Sequence, residues 1–250
     1  MTPTGDAAAA VAFLTPVGGG RTPSPGALPW FPAVGASMGL ALGGVWWASA
    51  RVWPPPVAAA VVVVADLGLT GMLHLDGLID AADGLLPHLE RGRRLDVMAD
   101  PRAGAFGVGA AAAVLLVRWS ALSVLAPDPL LLAGLWCASR TAMAVAARAL
   151  PYARPTGGLA SAFLAPHRSG GATAVLAVGG LVVSLALAGV AAGPAGVVAV
   201  GGLTAAAVAV AAVAKRRLGG FTGDVLGAAG LVGETVGLAM AAARPRWTTA

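Results

Sequence analysis

The sequence predicts an all-α, polytopic integral membrane helix bundle with about seven transmembrane segments. Three observations carry that prediction. Of 250 residues, 58% are hydrophobic and only 11% charged, with mean hydropathy +0.82. A soluble domain is about a quarter charged, because surface facing water needs polar groups. The apolar residues fall in runs of about twenty, the length that crosses a hydrocarbon core. Most of the basic residues lie between those runs, on alternate connections. The 36 glycines show no three-residue period, which with the high apolar fraction excludes collagen-like structure and disorder. A single cysteine, Cys137, excludes a disulfide framework and a Cys-rich zinc site.

Residues 30–50 form the first run, stopped by Pro54-Pro55-Pro56. Residues 57–75 form the second, interrupted by one acid, Asp66. Residues 104–126 contain Arg118 and close at Pro127-Asp128-Pro129, and residues 130–150 contain Arg140. Residues 171–191, 194–214 and 225–243 complete the set. The short run 7–17 is expected at the interface or as a half-helix. It is no signal peptide, since Asp6 stands in place of a basic flank and Pro16 ends it. No fixed repeat or linker divides the chain, which predicts one membrane-embedded domain over residues 1–250. Its Ala/Gly/Val-rich segments suit close packing through small residues.

The connections fall into two unequal sets. Residues 51–56, 127–129 and 192–193 hold Arg51 as their only base. The N-terminal stretch and residues 76–103, 151–170 and 215–224 hold Arg21, Arg91, Arg93, Arg94, Arg102, Arg154, Arg168, Lys215, Arg216 and Arg217. The asymmetry predicts that the long loops are cytoplasmic. Arg244 and Arg246 fit a seven-span count poorly, which predicts either a re-entrant last segment or a spanning N-terminal one. Bases spread as loop anchors, with one Tyr in the chain, argue against nucleic-acid binding.

Acids mark the candidate site. Asp76, Asp80 and Asp83 are spaced i, i+4, i+7, which puts three carboxylates on one helix face. They repel one another unless a cation sits between them, and Mg2+ pairs one or two carboxylates with waters and phosphate oxygens. A solvated acidic loop face is the plain alternative. Asp96 and Asp100 form a second i, i+4 pair before Pro101. Gly104, Gly107 and Gly109 then open the next span, offering a phosphate seat at a helix N-terminus or, equally, a packing surface. In the loop Gly219-Gly220-Phe221-Thr222-Gly223-Asp224, Asp224 is a candidate cap, metal ligand or both. Glu234 and Asp66 are expected to face the interior, as partners for Arg118 or Arg140 or as site residues. His74, His88 and His167 lack metal-ligand spacing, although His74 is placed to hold a carboxylate or act on a proton. Aspartates at a membrane surface beside basic loops imply a metal-dependent reaction on a phosphate-containing substrate.

The stretch His74-Leu75-Asp76-Gly77-Leu78-Ile79-Asp80-Ala81-Ala82-Asp83-Gly84 resembles the HLDGLxDxxDG signature of the cobalamin synthase family, the adenosylcobinamide-GDP ribazoletransferases. Further matches follow in family order: Met98 to Gly107, Ser139-Arg140, Tyr152-Ala153-Arg154 with Gly158-Leu159, and Gly219 to Ala228. The resemblance runs from Phe13-Leu14-Thr15 to the final span. It implies a multi-pass inner-membrane transferase of vitamin B12 biosynthesis with cytoplasmic active-site loops. Such an enzyme joins adenosylcobinamide-GDP to α-ribazole or its 5′-phosphate, gives adenosylcobalamin or its 5′-phosphate, releases GMP and uses Mg2+. The resemblance further implies Asp76, Asp80, Asp83 and Asp100 as metal ligands, with one of these acids or His74 as the hydroxyl's base. Arg102, Arg140 and Arg154 are implied as phosphate contacts, with Gly104, Gly223 and Asp224 in the same site. Membrane lipids are expected partners, and a homo-oligomer is compatible with the sequence.

Several positions depart from the family pattern. Met72 replaces a glycine often found before the signature, Phe221 stands where a polar residue is expected, and Leu231 replaces an acid. The Arg expected after Phe13-Leu14-Thr15 is absent. Three alternatives stand beside the resemblance. A CDP-alcohol phosphotransferase-like enzyme needs an Ala-Arg after its Asp-Gly, which is missing here. A secondary transporter would concentrate acids near the midplane. A membrane scaffold would tolerate neutral aspartates.

Overall fold

The computed structural model describes residues 2–19, 21–154, 157–164 and 170–243. His167, Arg168, Arg244 and Arg246 lie outside the described residues. The chain forms ten α-helices there: α1 (Pro3–Leu14), α2 (Phe31–Ser49), α3 (Pro55–Leu69), α4 (Leu73–Leu85), α5 (Arg91–Val97), α6 (Ala105–Val124), α7 (Pro129–Ala149), α8 (Gly170–Ala192), α9 (Pro194–Leu218) and α10 (Gly223–Ala242). Two 3-10 turns, Pro25–Trp30 and Leu159–Phe163, complete the order. The helices start and stop where local chemistry dictates. Asp128 caps α7 by accepting from the amides of Leu130 and Leu131 at 2.8 and 3.2 Å, with Pro129 in the first turn. Pro194 opens α9 in the same way, and Gly219 closes it at φ 78°.

Six helical segments are long and apolar enough to cross a membrane: α2 with its leading 3-10 turn, α6, α7, α8, α9 and α10. These match six of the seven expected runs within a few residues. The remaining run, residues 57–75, is corrected by the structure. It breaks after Leu69, and α4 departs from α3 at 87°. The break has a local cause, because Gly71 and Met72 both adopt the left-handed conformation, at φ 57° and 61°. Met72 is the one non-glycine residue at positive φ among the described residues. A Cβ in that region costs about 1–2 kcal/mol.

The two expected explanations for the C-terminal arginines are also corrected. The last segment is a continuous helix of 20 residues, and α1 has only 12, about 18 Å, short of a span. Instead α1 docks on the bundle through Phe13, whose ring meets Phe31 and Phe163 at 5.8 and 4.7 Å.

Helix α7 is the axis of the bundle and is buried along most of its length, whereas α8 faces largely outward. A glycine row on α2 sets the closest seam. Gly35, Gly39 and Gly43 lie against Trp136, Leu132 and Pro129 of an antiparallel α7, and a Cβ at any of them would overlap α7 backbone. Small residues allow that approach in lipid, where packing must do the work that water does elsewhere.

The bundle interior holds a charge network. Arg118 of α6 pairs with Asp66 of α3 and, at 3.0 Å, with Glu234 of α10. Arg140 of α7 pairs with the other oxygen of Glu234 and donates to Ser139 Oγ at 2.8 Å. Trp136 Nε1 donates to the second oxygen of Asp66 at 3.2 Å. All four charged side chains are buried. Two acids and two bases cancel, and each acid meets a guanidinium, so both expectations for Asp66 and Glu234 as interior partners hold. Arg140, expected at a phosphate, pairs with Glu234 through Nη1, while its Nε and Nη2 have no hydrogen-bond partner among the described residues.

Helix α4 lies across one end of this bundle. Gly77 approaches the Asp224 backbone in the first turn of α10, and Gly104 and Gly107 at the start of α6 abut Asp83. Arg217, in the last turn of α9, donates to the Leu85 carbonyl. The acidic helix therefore meets the spanning segments at the first turns of α6 and α10.

Two outcomes follow from these features. Met72→Gly is expected to raise stability by about 1 kcal/mol, read as a higher unfolding temperature in detergent; no change would mean that Met72 carries no strain. Glu234→Leu leaves two guanidiniums buried with one carboxylate, a loss of about 3–5 kcal/mol. Such protein is expected to express poorly and melt early, and wild-type stability in this variant would remove the network as a structural pin.

Candidate active site at the mouth of the bundle

A cavity of about 140 Å³ opens where α4 meets α10. His74 and Asp76 line it from α4, Tyr152 and Arg154 from the loop after α7, and Gly223 and Asp224 from α10. Two glycines make the helix crossing this close. A Cβ at Gly77 would lie 3.0 Å from Asp224 Cα, and one at Gly227 would lie 3.2 Å from His74 Cα. The loop is fixed by backbone pairing. Phe221 exchanges hydrogen bonds with Pro151 and Ala153 at 2.9 and 2.8 Å, and its ring meets Tyr152 edge-on at 5.3 Å. The apolar residue at this family-polar position is thus fully buried behind the loop.

The structure brings Asp76, Asp80, Arg154 and Asp224 together. Arg154 Nη2 donates to Asp224 Oδ2 at 2.7 Å and to the Met98 carbonyl at 3.3 Å. Thr222, two residues before Asp224, is the residue that caps α10, accepting from Val225 N at 3.2 Å. Asp224 is thereby released to face Arg154. Half-buried Asp80 has its pKa pushed up to about 7, by burial first and then by the charges of Asp224 and Asp76, against the opposing pull of Arg154. A carboxyl raised in this way marks an excess of negative charge that the protein alone does not neutralise.

Burial, and secondarily the charge of Arg140, push the His74 pKa down to about 3. Its Nε2 is buried without a hydrogen-bond partner among the described residues. A neutral imidazole with so low a pKa is a poor proton acceptor near pH 7, whereas Asp80 is well matched.

Other expected site residues have different partners. The Asp83 carboxylate accepts from Gly104 N at 2.7 Å and Gly107 N at 2.8 Å, closing the N-terminus of α6. The anion seat expected at Gly104 therefore exists, but a side chain of the protein fills it. Asp100 is bound by Arg102, whose Nε and Nη2 donate at 2.9 and 2.7 Å. Those bonds hold the Asp100 pKa down to about 2, and Arg102 itself is exposed. Neither residue lines the cavity.

Sequence reasoning missed two arginines. Arg94 donates to the carbonyls of Gly84 and Leu85 at 2.7 and 3.1 Å, and Arg217 donates to those of Leu85 and Leu86. Both cap the C-terminus of α4, where cations suit the helix dipole. Their only sequence signal is membership of basic loops, which reads equally well as topology.

Among the described residues no group of three His, Cys, Asp or Glu side chains converges on one metal position. Apart from the His74 imidazole, the ligand donors that line the cavity are the hard carboxylate oxygens of Asp76 and Asp224. They fit a divalent cation held by two carboxylates and completed by water and phosphate oxygens, rather than one enclosed by protein ligands.

Comparison with known proteins supplies the family. The cobalamin-5-phosphate synthase family model matches residues 6–242. A Bradyrhizobium diazoefficiens protein named adenosylcobinamide-GDP ribazoletransferase is 39% identical over 245 residues, covering 94% of this chain and 92% of its own. A Chlorobium phaeovibrioides protein of the same name is 36% identical over 212 residues, 83% of each chain. One from Thermosynechococcus vestitus is 46% identical over 135 residues, 53% of this chain and 54% of its own. No solved structure matches. With a family match across nearly its whole length, and a relative aligned over more than nine tenths of both chains, this chain belongs to the cobalamin-5-phosphate synthase family.

Proposed function

We propose that this chain transfers the cobinamide phosphate of adenosylcobinamide-GDP to α-ribazole or α-ribazole 5′-phosphate, at the cavity between α4 and α10. The observation that carries this reading is the meeting of Asp76, Arg154 and Asp224 at one cavity, with the Asp80 carboxyl near enough to feel all three charges, in a chain of this family. The ribazole 5′-hydroxyl attacks the phosphorus attached to cobinamide. A new phosphorus–oxygen bond forms, the bond to the GMP oxygen breaks, and the hydroxyl proton passes to a carboxylate of the cluster. Arg154 turns from Asp224 to the phosphate, since a guanidinium binds both through the same N–H fork. Asp76 and Asp80 are the residues that would hold Mg2+, with Asp224 beside them. When bound, the ion supplies charge neutralisation at the bridging phosphate oxygens and lowers the pKa of the attacking hydroxyl. Tyr152 and the buried wall behind it exclude water from one side of the cavity. The basic loops on the same side support a cytoplasmic mouth, in the inner membrane.

The direct test is product formation by purified protein in liposomes, from adenosylcobinamide-GDP and α-ribazole with Mg2+ or EDTA. Metal-dependent GMP and cobalamin are expected, with a loss of at least about a hundredfold in folded Asp80→Asn. Absence of product from well-folded protein under any metal would overturn the reading.

Asp76 and Asp83 are expected to separate chemistry from architecture. Asp83→Ala loses the α6 cap and about 1–2 kcal/mol of stability, while Asp76→Asn keeps its stability and loses activity. Equal melting of the two variants would contradict the division.

The sign of the pH dependence follows from Asp80. Its pKa rises from the ordinary 3.8 to about 7 on folding. In metal-free protein its stabilising contribution is therefore complete below pH about 4 and lost as the pH rises through about 7. A cation needs the ionised carboxylate, so its apparent affinity falls as the pH drops below about 7. The Mg2+-induced rise in unfolding temperature is expected to shrink from pH about 8 to about 6 in wild type. It should be flat in Asp80→Asn, and equal slopes in both would remove Asp80 from the metal site.

A further inference from the structure

A second cavity, of about 360 Å³, lies away from this site, between α7, α8 and α9. Its walls run from Ala138 to Leu150 on α7 and from Thr204 to Lys215 on α9, with Leu181 of α8 across from them. The two hydroxyls on these walls are spent on their own helices. Thr141 donates to the Cys137 carbonyl at 2.7 Å and Thr204 to the Val200 carbonyl at 2.8 Å. The groove surface is thus apolar along its length, with one cation, Lys215, at its end.

Length and charge together identify the occupant. At 1.5 Å per residue the walls extend about 17–18 Å, close to one leaflet, half of the roughly 30 Å hydrocarbon core. Lys215 stands at the end that leads into the loop before α10, next to exposed Arg216. Among the described residues it has no salt-bridge partner, unlike Arg102, Arg118, Arg140 and Arg154. Val208 of α9, which lines the groove, is itself exposed, so the groove is accessible from lipid. We infer that this groove binds one anionic phospholipid, with an acyl chain between α7 and α9 and its phosphate on Lys215. A leaflet-length apolar slot with a single unpaired ammonium at the interface suits that chemistry, and a zwitterionic lipid would gain the slot without the charge.

The test uses the full protein, delipidated in detergent and titrated with phosphatidylglycerol or phosphatidylcholine of identical chains. Native mass spectrometry reads the stoichiometry and unfolding temperature reads the stabilisation. One phosphatidylglycerol is expected to bind, with about fivefold preference over phosphatidylcholine from one interfacial cation. Lys215→Glu should abolish the preference, and Ala142→Trp, which fills the slot, should remove tight binding of both lipids. Equal affinity for the two lipids in wild type, an unchanged preference in Lys215→Glu, or a dimer whose second copy occludes the groove would each overturn the assignment. Should Ala142→Trp fail to fold, the charge-reversed variant decides alone, because Lys215 is exposed and makes no internal contact that folding requires.

Discussion

Charge inside an apolar bundle must be paired, and that constraint organises this structure. Arg118 and Arg140 cannot face lipid, so α6 and α7 turn them toward Asp66 and Glu234. Glu234 accepts from both arginines, which ties α10 to α6 and α7 at a single point. The remaining acid ties in α3. Pairing of this kind adds little net stability over a packed apolar core, yet breaking one partner is expensive. Its effect is to fix which faces of four helices meet, and hence where their ends lie.

Those ends make the platform for α4. The three aspartates of this helix share one face but not one environment. Asp76 is exposed, Asp80 half-buried and Asp83 buried, so burial rises along the helix as it crosses the mouth. The deepest aspartate is consumed in holding α6, and its carboxylate stands in for a phosphate at a helix N-terminus. The shallower two remain beside Asp224 and Arg154. A single periodic motif thereby divides into a structural clamp and a pair left at the mouth, because three equal side chains meet three different neighbours.

Two departures from the family pattern acquire physical meanings in the same region. Met72 occupies a left-handed position that the bend between α3 and α4 requires, so the substitution loads strain into the hinge that aims α4. Phe221, where the resemblance leads us to expect a polar residue, places a ring against Tyr152 in the loop carrying Arg154. Leu231 is buried within α10, and Glu234, three residues on, is the acid that the interior arginines meet.

The sequence alone determined the class, the positions of the spans and the helix that carries the acids. Apolar run length, proline stops and i, i+4, i+7 spacing are local properties, written in neighbouring residues. It also determined that interior charges would pair, since lipid leaves them no other stable state. Which acid met which base was decided only by tertiary structure, as were the bend after Leu69, the capture of Asp83 by α6 and the pairing of Arg140 with Glu234. The capping of α4 by Arg94 and Arg217 was decided there too. Each of these depends on contacts between residues far apart in the chain, and a carboxylate or guanidinium looks the same in sequence whether its partner is a phosphate, a metal or a helix end.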